Sequence, residues 1–418
     1  MRDATIWRRA LGVDTKTVID KVGFEEEGDE DVVIVRVRQH RSRKLRCGKC
    51  AKVAGRYDKG EGRRRWRAHD VGLLRCYLEG EAPRVRCPTH GPVVAQVPWA
   101  RHDARHTYAF DDQVAWLVTH TAKTTLVELL RISWPTVGAI VTRVVADGRA
   151  LRDPFDGLVR IGIDEISYKR GHKYITVVVD HDSGRLVWAA PGRDKETLTK
   201  FFELLGPERS VGIRLVSADA AEWIATVVAE HCPKATLCAD PFHMVAWATT
   251  ALDEVRRQLW RDAKLIGAPS LVTRIKGCRY ALLKNPENLT ENQRVSLARV
   301  AAVNKSLYRA YLLKEEFRLI FQLRGVDAIV ALDGWLRWAQ RCRIPAFVEL
   351  YHRIKKHRST IEATLNNGLS NALVESTNTK LRLLTRMAYG FRSTENLIAL
   401  CLLDRGGYCP PLPGRQAA

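Results

Sequence analysis

The 418-residue chain has no run of about eighteen apolar residues, so no membrane-spanning helix is expected. Its first residues, Met1-Arg2-Asp3-Ala4-Thr5-Ile6-Trp7-Arg8-Arg9, lack the apolar centre of a signal peptide. A cytoplasmic protein is therefore expected, with its ten cysteines present as thiols or metal ligands and not as disulfides. Repeats at solenoid periods and low-complexity tracts are also missing, which removes the repeat-array class. Acid is in short supply. The 47 Asp and Glu face 68 Lys and Arg, a formal net charge of +21. Such a surplus attracts polyanions, and counterion release makes nucleic acid the expected partner. A chain of this length buries a large core and divides into two to four domains.

The texture changes along the chain. The later part of Asp31 to Arg38 alternates as a strand does, and residues 41–105 are dense in Arg and Lys. From about 108 to 148 apolar positions recur at three and four, the period of a helix. Leu151-Arg152-Asp153-Pro154 marks a boundary. Beyond it, strands are predicted at 159–163, 174–179, 185–189, 212–217 and 236–239, with helices at 197–205 and 221–231. That order is mixed α/β. Residues about 244–366 read as almost wholly helical, and 407–418 as a loose tail rich in Pro and Gly.

Cys47-Gly48-Lys49-Cys50 and Cys87-Pro88-Thr89-His90 are two ligand pairs with the two-residue gap of a zinc knuckle. The gap lets two side chains of one tight turn take adjacent corners of a tetrahedron, and four protein ligands close the site. A structural Zn²⁺ is expected, with Cys76 as a core thiol. Between the pairs run Arg63, Arg64, Arg65, Trp66 and Arg67, candidates for phosphate and base contact or else a solvated basic face. Thr124 to Leu130, a short turn, and Pro135 to Val141 form a helix-turn-helix candidate. Ser133 is its cap, and Thr136 and Arg143 are candidate DNA contacts. A helical hairpin in a core would look the same.

Asp164 ends the first predicted strand of the α/β region, Asp219 follows the fourth, and Glu375 lies on a late helical pattern. In an RNase H-like sheet the first and fourth strands are neighbours, which would join the two aspartates. Clustered carboxylates repel unless cations neutralise them, and hard oxygen ligands suit Mg²⁺ or Mn²⁺. Glu165 competes less well with Asp164 because it should point to the opposite face. Arg382 and Arg386, one turn apart after Glu375, are candidates for gripping DNA phosphates. Trp223, Trp247, Trp260, Trp335 and Trp338 read as packing residues.

Ile161 to Tyr174, containing Ile163-Asp164-Glu165, resembles the first catalytic block of the ISL3 insertion-sequence transposases. Val216-Ser217-Ala218-Asp219 resembles the second, and Cys238-Ala239-Asp240-Pro241-Phe242-His243 the block after it. Leu369 to Asn378, continuing to Ala388-Tyr389-Gly390-Phe391-Arg392, resembles the third. The zinc pairs and helix-turn-helix also fit that family's layout, with His90 standing where many relatives carry Cys. The resemblance implies a DDE transposase whose triad is Asp164, Asp219 and Glu375. Asp240 and His243 match an Asp-x-x-His pattern beside the site, and Asp240 is the rival for the second acid.

The implied fold is multidomain α+β. A zinc-binding basic module (1–105) and a helix-turn-helix domain (106–150) precede an RNase H-like catalytic domain (151–406). That domain carries a helical insertion at about 244–368. The implied partners are double-stranded DNA, as terminal inverted repeats and target, and further copies of the chain, since transposition pairs two ends. Nucleoid association would follow. Two other readings stay open: an RNase H-like nuclease, and a transposase-derived DNA-binding regulator without catalysis.

Overall fold

The computed structural model describes residues 3–169, 171–388 and 393–415. Arg170 and Tyr389 to Arg392, part of the quoted motifs, lie outside the described residues, as do Gln416 to Ala418. The chain forms two compact units, Met1–Pro154 with Leu381–Ala418, and Phe155–Lys380. Among the described residues no single helix is long and apolar enough to cross a membrane.

The first unit begins with α1 (Asp3–Ala10), β1 (Thr17–Glu27) and β2 (Glu30–Gln39). Next come β3 (Gly55–Asp58), β4 (Arg63–Val71), β5 (Leu74–Glu81), β6 (Arg84–Cys87) and β7 (Gly91–Val94). Two sheets result, ordered β1-β2-β5-β4 and β3-β6-β7. The Val-rich run of β2 is buried from Val32 to Val35, and Val33, Val35 and Val37 pack with Trp66, Leu78 and Trp99. Trp66 meets Trp99 edge-on, with ring centroids 5.4 Å apart. Three helices follow: α2 (Tyr108–His120), α3 (Lys123–Leu130) and α4 (Trp134–Leu151). Thr107 caps α2 through the Phe110 amide, as a Thr before a helical run is suited to do.

The second unit opens with β8 (Arg160–Lys169), β9 (Lys173–Asp180), β10 (Leu186–Pro191) and α5 (Lys195–Leu205). It continues through α6 (Pro207–Ser210), β11 (Leu215–Ala218), α7 (Glu222–His231) and β12 (Thr236–Ala239). The sheet order is β10-β9-β8-β11-β12. β8 to β10 form an antiparallel meander, while β11 and β12 run parallel to β8. The first and fourth strands are thus neighbours. β11 is shorter at its start than the apolar pattern predicts, because Gly212 and Ile213 instead close a turn onto Arg209 and Ser210.

A helical region follows: α8 (Pro241–Leu265), α9 (Pro269–Gly277), α10 (Arg279–Leu283), α11 (Glu291–Val303), α12 (Lys305–Ile320), α13 (Gly325–Arg341), α14 (Pro345–Lys356) and α15 (Arg358–Asn367). Its core joins Leu252, Phe317, Trp335 and Phe347, and the Trp335 indole N–H donates to the Leu313 carbonyl at 2.8 Å. Trp223, Trp247 and Trp338 are half-buried against apolar cores. Two helices end the chain, α16 (Ala372–Met387), within which the boundary between the units falls, and α17 (Thr394–Arg405) in the first unit. The molecule is a mixed α+β protein with a helical C-terminal region.

Candidate metal centres and DNA-binding elements

Cys47 and Cys50 sit on the turn before β3, and Cys87 and His90 on the turn from β6 to β7. The Cys47 amide donates to Lys52 and the Ala51 amide to Cys47, each at 2.9 Å, which closes the first turn. Gly48 is needed there, since a Cβ would lie 2.6 Å from the Val94 carbonyl oxygen. His90 Nδ1 lies 3.6 Å from both Cys47 Sγ and Cys87 Sγ, and Cys50 Sγ lies 3.7 Å from Cys87 Sγ. A tetrahedral zinc ion requires ligand separations of about 3.6 Å for S to N and about 3.8 Å for S to S. The four atoms fit that ion. Burial raises the Cys87 thiol, but the Thr89 and His90 amides and the His90 side chain outweigh it and hold the thiol at about 6. Cys76 is different. It lies buried in β5, and loss of water pushes it up to about 12.

The arginine-rich strand β4 is less available than its sequence suggests. Trp66 is 5% exposed and Arg67 6%, so both belong to the interior and neither presents itself to DNA. The covering segment explains this. The Arg67 backbone pairs with Arg105 and Thr107, and its guanidinium lies over the Tyr77 and Phe110 rings beside Asp70. Arg63 and Arg65 share Glu79, Arg65 also meets Glu25, and Arg64 meets Glu61. These arginines face solvent already partnered.

Helices α3 and α4 cross at 99° across a three-residue turn, a geometry suited to a helix-turn-helix. Arg131 takes the left-handed position that ends α3. The Ser133 hydroxyl then caps α4, accepting from the Thr136 amide at 3.4 Å, with Pro135 in the first turn. Thr136 is half-buried at the start of α4 and bonds Ser133 Oγ at 2.8 Å. Arg143 is not free for DNA. Both of its guanidinium bonds, each 3.2 Å, go to the buried Asp111. Arg382 and Arg386 are exposed on α16.

In the second unit, register places three aspartates at one level. Gly162, Ser217 and Cys238 pair across β8, β11 and β12. Asp164, Asp219 and Asp240 each stand two residues further on, where the pleat returns the side chain to the same face. Asp219 belongs to two groups whose ligand atoms lie within 4.8 Å of one another, one with Asp164 and Glu165, the other with Asp240 and His243. Glu165 therefore departs from the expected opposite orientation. β8 runs past its last β11 partner, so this edge is open and the longer side chain reaches back towards Asp164 and Asp219. Its other neighbour is Arg193, at 3.6 Å.

Hydrogen bonds fix the acids. Asp164 accepts from the Glu165 amide at 2.7 Å and from Asn378 Nδ2 at 2.5 Å. Asp240 caps α8 through the His243 amide at 3.3 Å and accepts from the Asn371 amide at 3.2 Å. His243 Nδ1 lies 2.8 Å from Asp219 and 3.9 Å from Asp240. Burial, then the charge of Asp219, pushes Asp164 up to about 7. Burial also raises Glu165 and Asp240, and the bond to Asp219 raises His243. The acids compete for too little water, which is the condition a divalent cation relieves.

Glu375 sits between two anchors of α16. Asn371, one turn before it, receives the Ser217 hydroxyl on Oδ1 and donates Nδ2 to the Ile163 carbonyl at 3.3 Å. Asn378, one turn after it, holds Asp164. Gly162 makes this approach possible: a Cβ there would sit 2.8 Å from His181 Nε2 and collide with Val374. His181 supports Ser217 at 2.7 Å. Asn371, Asn378, Ser217 and His181 escaped the sequence reading as site residues. The two asparagines had a signal, at minus four and plus three from Glu375, the spacing of one helix face.

Comparisons with known proteins agree with this layout. Residues 161–401 match the DDE family of ISL3, described as "Transposase". Residues 95–145 match the "Helix-turn-helix domain of transposase family ISL3", which indicates DNA binding. Residues 43–90 match the "zinc-finger of transposase IS204/IS1001/IS1096/IS1165". The chain is 57% identical over 437 aligned positions to the transposase for insertion sequence element IS1557 of Mycobacterium tuberculosis, covering 100% of this chain and 98% of the relative. It is 30% identical over 315 positions to the transposase for insertion sequence element IS1001 of Bordetella parapertussis, covering 73% of this chain and 75% of that one. With the family match spanning more than half the sequence and the first relative its whole length, this chain belongs to the ISL3 family of insertion-sequence transposases.

Proposed function

We propose that this protein cuts and joins the DNA ends of an insertion sequence, with Asp164, Asp219 and Glu375 as its triad. The observation that carries the reading is the shared register of Asp164 and Asp219 on adjacent parallel strands, with Glu375 held between two asparagines that touch the same sheet. The sheet order, three antiparallel strands followed by two parallel ones, supports an RNase H-like catalytic domain. The helices between His243 and Ser370 then form an insertion within it, and residues 1–150 recognise the terminal inverted repeats. A dimer or higher assembly on DNA pairs the two ends.

The oxygen-rich cluster of Asp164, Glu165, Asp219 and Asp240 fits Mg²⁺ or Mn²⁺. In the proposed triad Asp164, Asp219 and Glu375 would hold the ions. When bound, such ions would supply Lewis acidity at the scissile phosphate and at the attacking oxygen. The chain's own residues do the rest. Asn378 orients the Asp164 carboxylate, and His243 holds its proton towards Asp219. Asp240 secures both α8 and Asn371, so it acts as a positioning residue beside Asp219.

The test is Mg²⁺- or Mn²⁺-dependent cleavage and joining of DNA carrying the element's ends, by the parent, Asp219→Ala and Asp240→Ala. Loss in the first and partial activity in the second is expected. Cleavage without joined products would favour a nuclease. Binding without cleavage by the parent would favour a DNA-binding regulator.

A further inference from the structure

The first unit contains a concave pocket of about 510 Å³ beside the zinc-ligand turn, lined by Lys16, Ser42, Arg43, Lys44, Arg46 and Gln96. Four of these side chains are cations and none is an acid. Asp14 lies 3.8 Å from Arg43, but among the described residues no carboxylate pairs with Lys16, Lys44 or Arg46. The contrast with β4 is sharp, since Arg63, Arg64 and Arg65 are each met by a glutamate. In a chain of +21 net charge, the cations left for a partner are therefore not those of the arginine-rich strand.

The pocket is also built. The His40 amide bonds the Lys16 carbonyl at 2.8 Å, tying the end of β2 to the start of β1. The Gln96 amide bonds the Arg46 carbonyl at 2.9 Å, and Arg46 Nη1 donates to the Ala51 carbonyl at 2.8 Å. Arg46 adjoins Cys47, so the zinc-ligand turn forms one wall. Concave cationic surfaces focus potential and draw in phosphate. Exposed Arg41, Lys49 and Lys52 continue the positive charge along the flanking sequence, which suits an extended polyanion better than a lone anion.

We propose that this pocket grips the phosphodiester backbone of duplex DNA, and that the zinc-ligand turn keeps it in shape. The inference rests on the reading of the protein as a DNA-processing transposase and names a contact within it. Contacts of this kind position the protein on the duplex and carry no sequence information.

The test measures binding of the full chain to a short fluorescein-labelled duplex by anisotropy over a range of KCl. The variants are K16Q/K44Q, the charge-keeping K16R/K44R, and R63Q/R65Q. Both lysines are exposed, and zinc content and melting should match the parent in all variants. K16Q/K44Q should weaken binding about tenfold or more and lower the salt slope by about 2, one for each lost phosphate contact. K16R/K44R should bind as the parent does, and R63Q/R65Q should change affinity less than K16Q/K44Q. An unchanged slope in K16Q/K44Q overturns the proposal, as does equal weakening by K16R/K44R or by R63Q/R65Q. Metal-dependent nicking by the same preparations separates the two readings: nicking that persists with an unchanged slope defeats the pocket alone, whereas an intact slope effect without nicking defeats the transposase reading alone.

Discussion

The two ligand clusters of this protein follow opposite plans. The thiol and imidazole cluster is local, with two turns each supplying a pair of ligands three residues apart. The carboxylate cluster takes Asp164 from the middle of β8, which runs on past the predicted strand end, and Asp219 and Asp240 from just beyond the ends of β11 and β12. Asn371 and Asn378 then tie a helix more than a hundred residues downstream to the same sheet. The first cluster depends on turn geometry and the second on sheet register. The chemistry follows. Soft ligands that close a tetrahedron hold structure together, whereas crowded carboxylates, short of water, hold protons until a cation replaces them.

That contrast can be broken experimentally, and the largest effect should come from the carboxylate side. Asp164→Asn is expected to reduce metal-dependent DNA cleavage by about a thousandfold or more while leaving circular dichroism unchanged. Cleavage within tenfold of the parent would remove Asp164 from the triad.

Zinc removal should act on folding instead. Cys47→Ser, or a strong chelator, should melt the first unit early, because structural zinc binding is worth about 10 kcal/mol or more. Calorimetry would show this as a lost or lowered transition, and an unchanged profile would refute a structural ion.

Asn371→Ala should cost about 1–3 kcal/mol in urea unfolding, since it removes the side-chain partner of the Ser217 hydroxyl and of the buried Ile163 carbonyl. It should also weaken Mn²⁺ binding measured by calorimetry. Full stability together with full metal affinity would show that α16 finds its place without this anchor.

A smaller effect concerns pH. Asp164 rises to about 7, and Glu165, Asp240 and His243 are raised as well. Each binds its proton more tightly folded than unfolded, so this cluster's contribution to the stability of the metal-free protein should fall as pH rises from about 4 through 7, seen as a Tm that drops relative to Asp164→Asn. Mg²⁺ should raise Tm more at pH 8 than at pH 6. A Tm difference from Asp164→Asn that stays constant across this range without metal would contradict the proton-holding cluster. The smallest change is Ser133→Ala, which removes the α4 cap and should cost about 1 kcal/mol in thermal unfolding.

The parts of this protein that were legible in its sequence are those whose determinants lie within a few residues. The pair spacings at Cys47, Cys50, Cys87 and His90 depend on single turns, and the fit of their atoms to a tetrahedron follows. Ser133 with Pro135 announced the start of α4, and the apolar runs before Asp164 and Asp219 announced two strands. The arginine-rich run was misleading for the opposite reason. Burial of Trp66 and Arg67 depends on Arg105 to Phe110, some forty residues away, and no local pattern encodes that cover. Arg143 likewise looked free until Asp111 claimed it.

Composition, charge and short spacings were thus enough to indicate a basic, metal-binding protein with a helix-turn-helix and acids that follow apolar strand runs, because each depends on residues adjacent in the chain. The level at which three aspartates meet, the reach of Glu165 around an open strand edge, and the anchoring of α16 by two asparagines arose only on folding. Strand register and helix docking are set by contacts between distant segments, and those contacts exist only once the chain has folded.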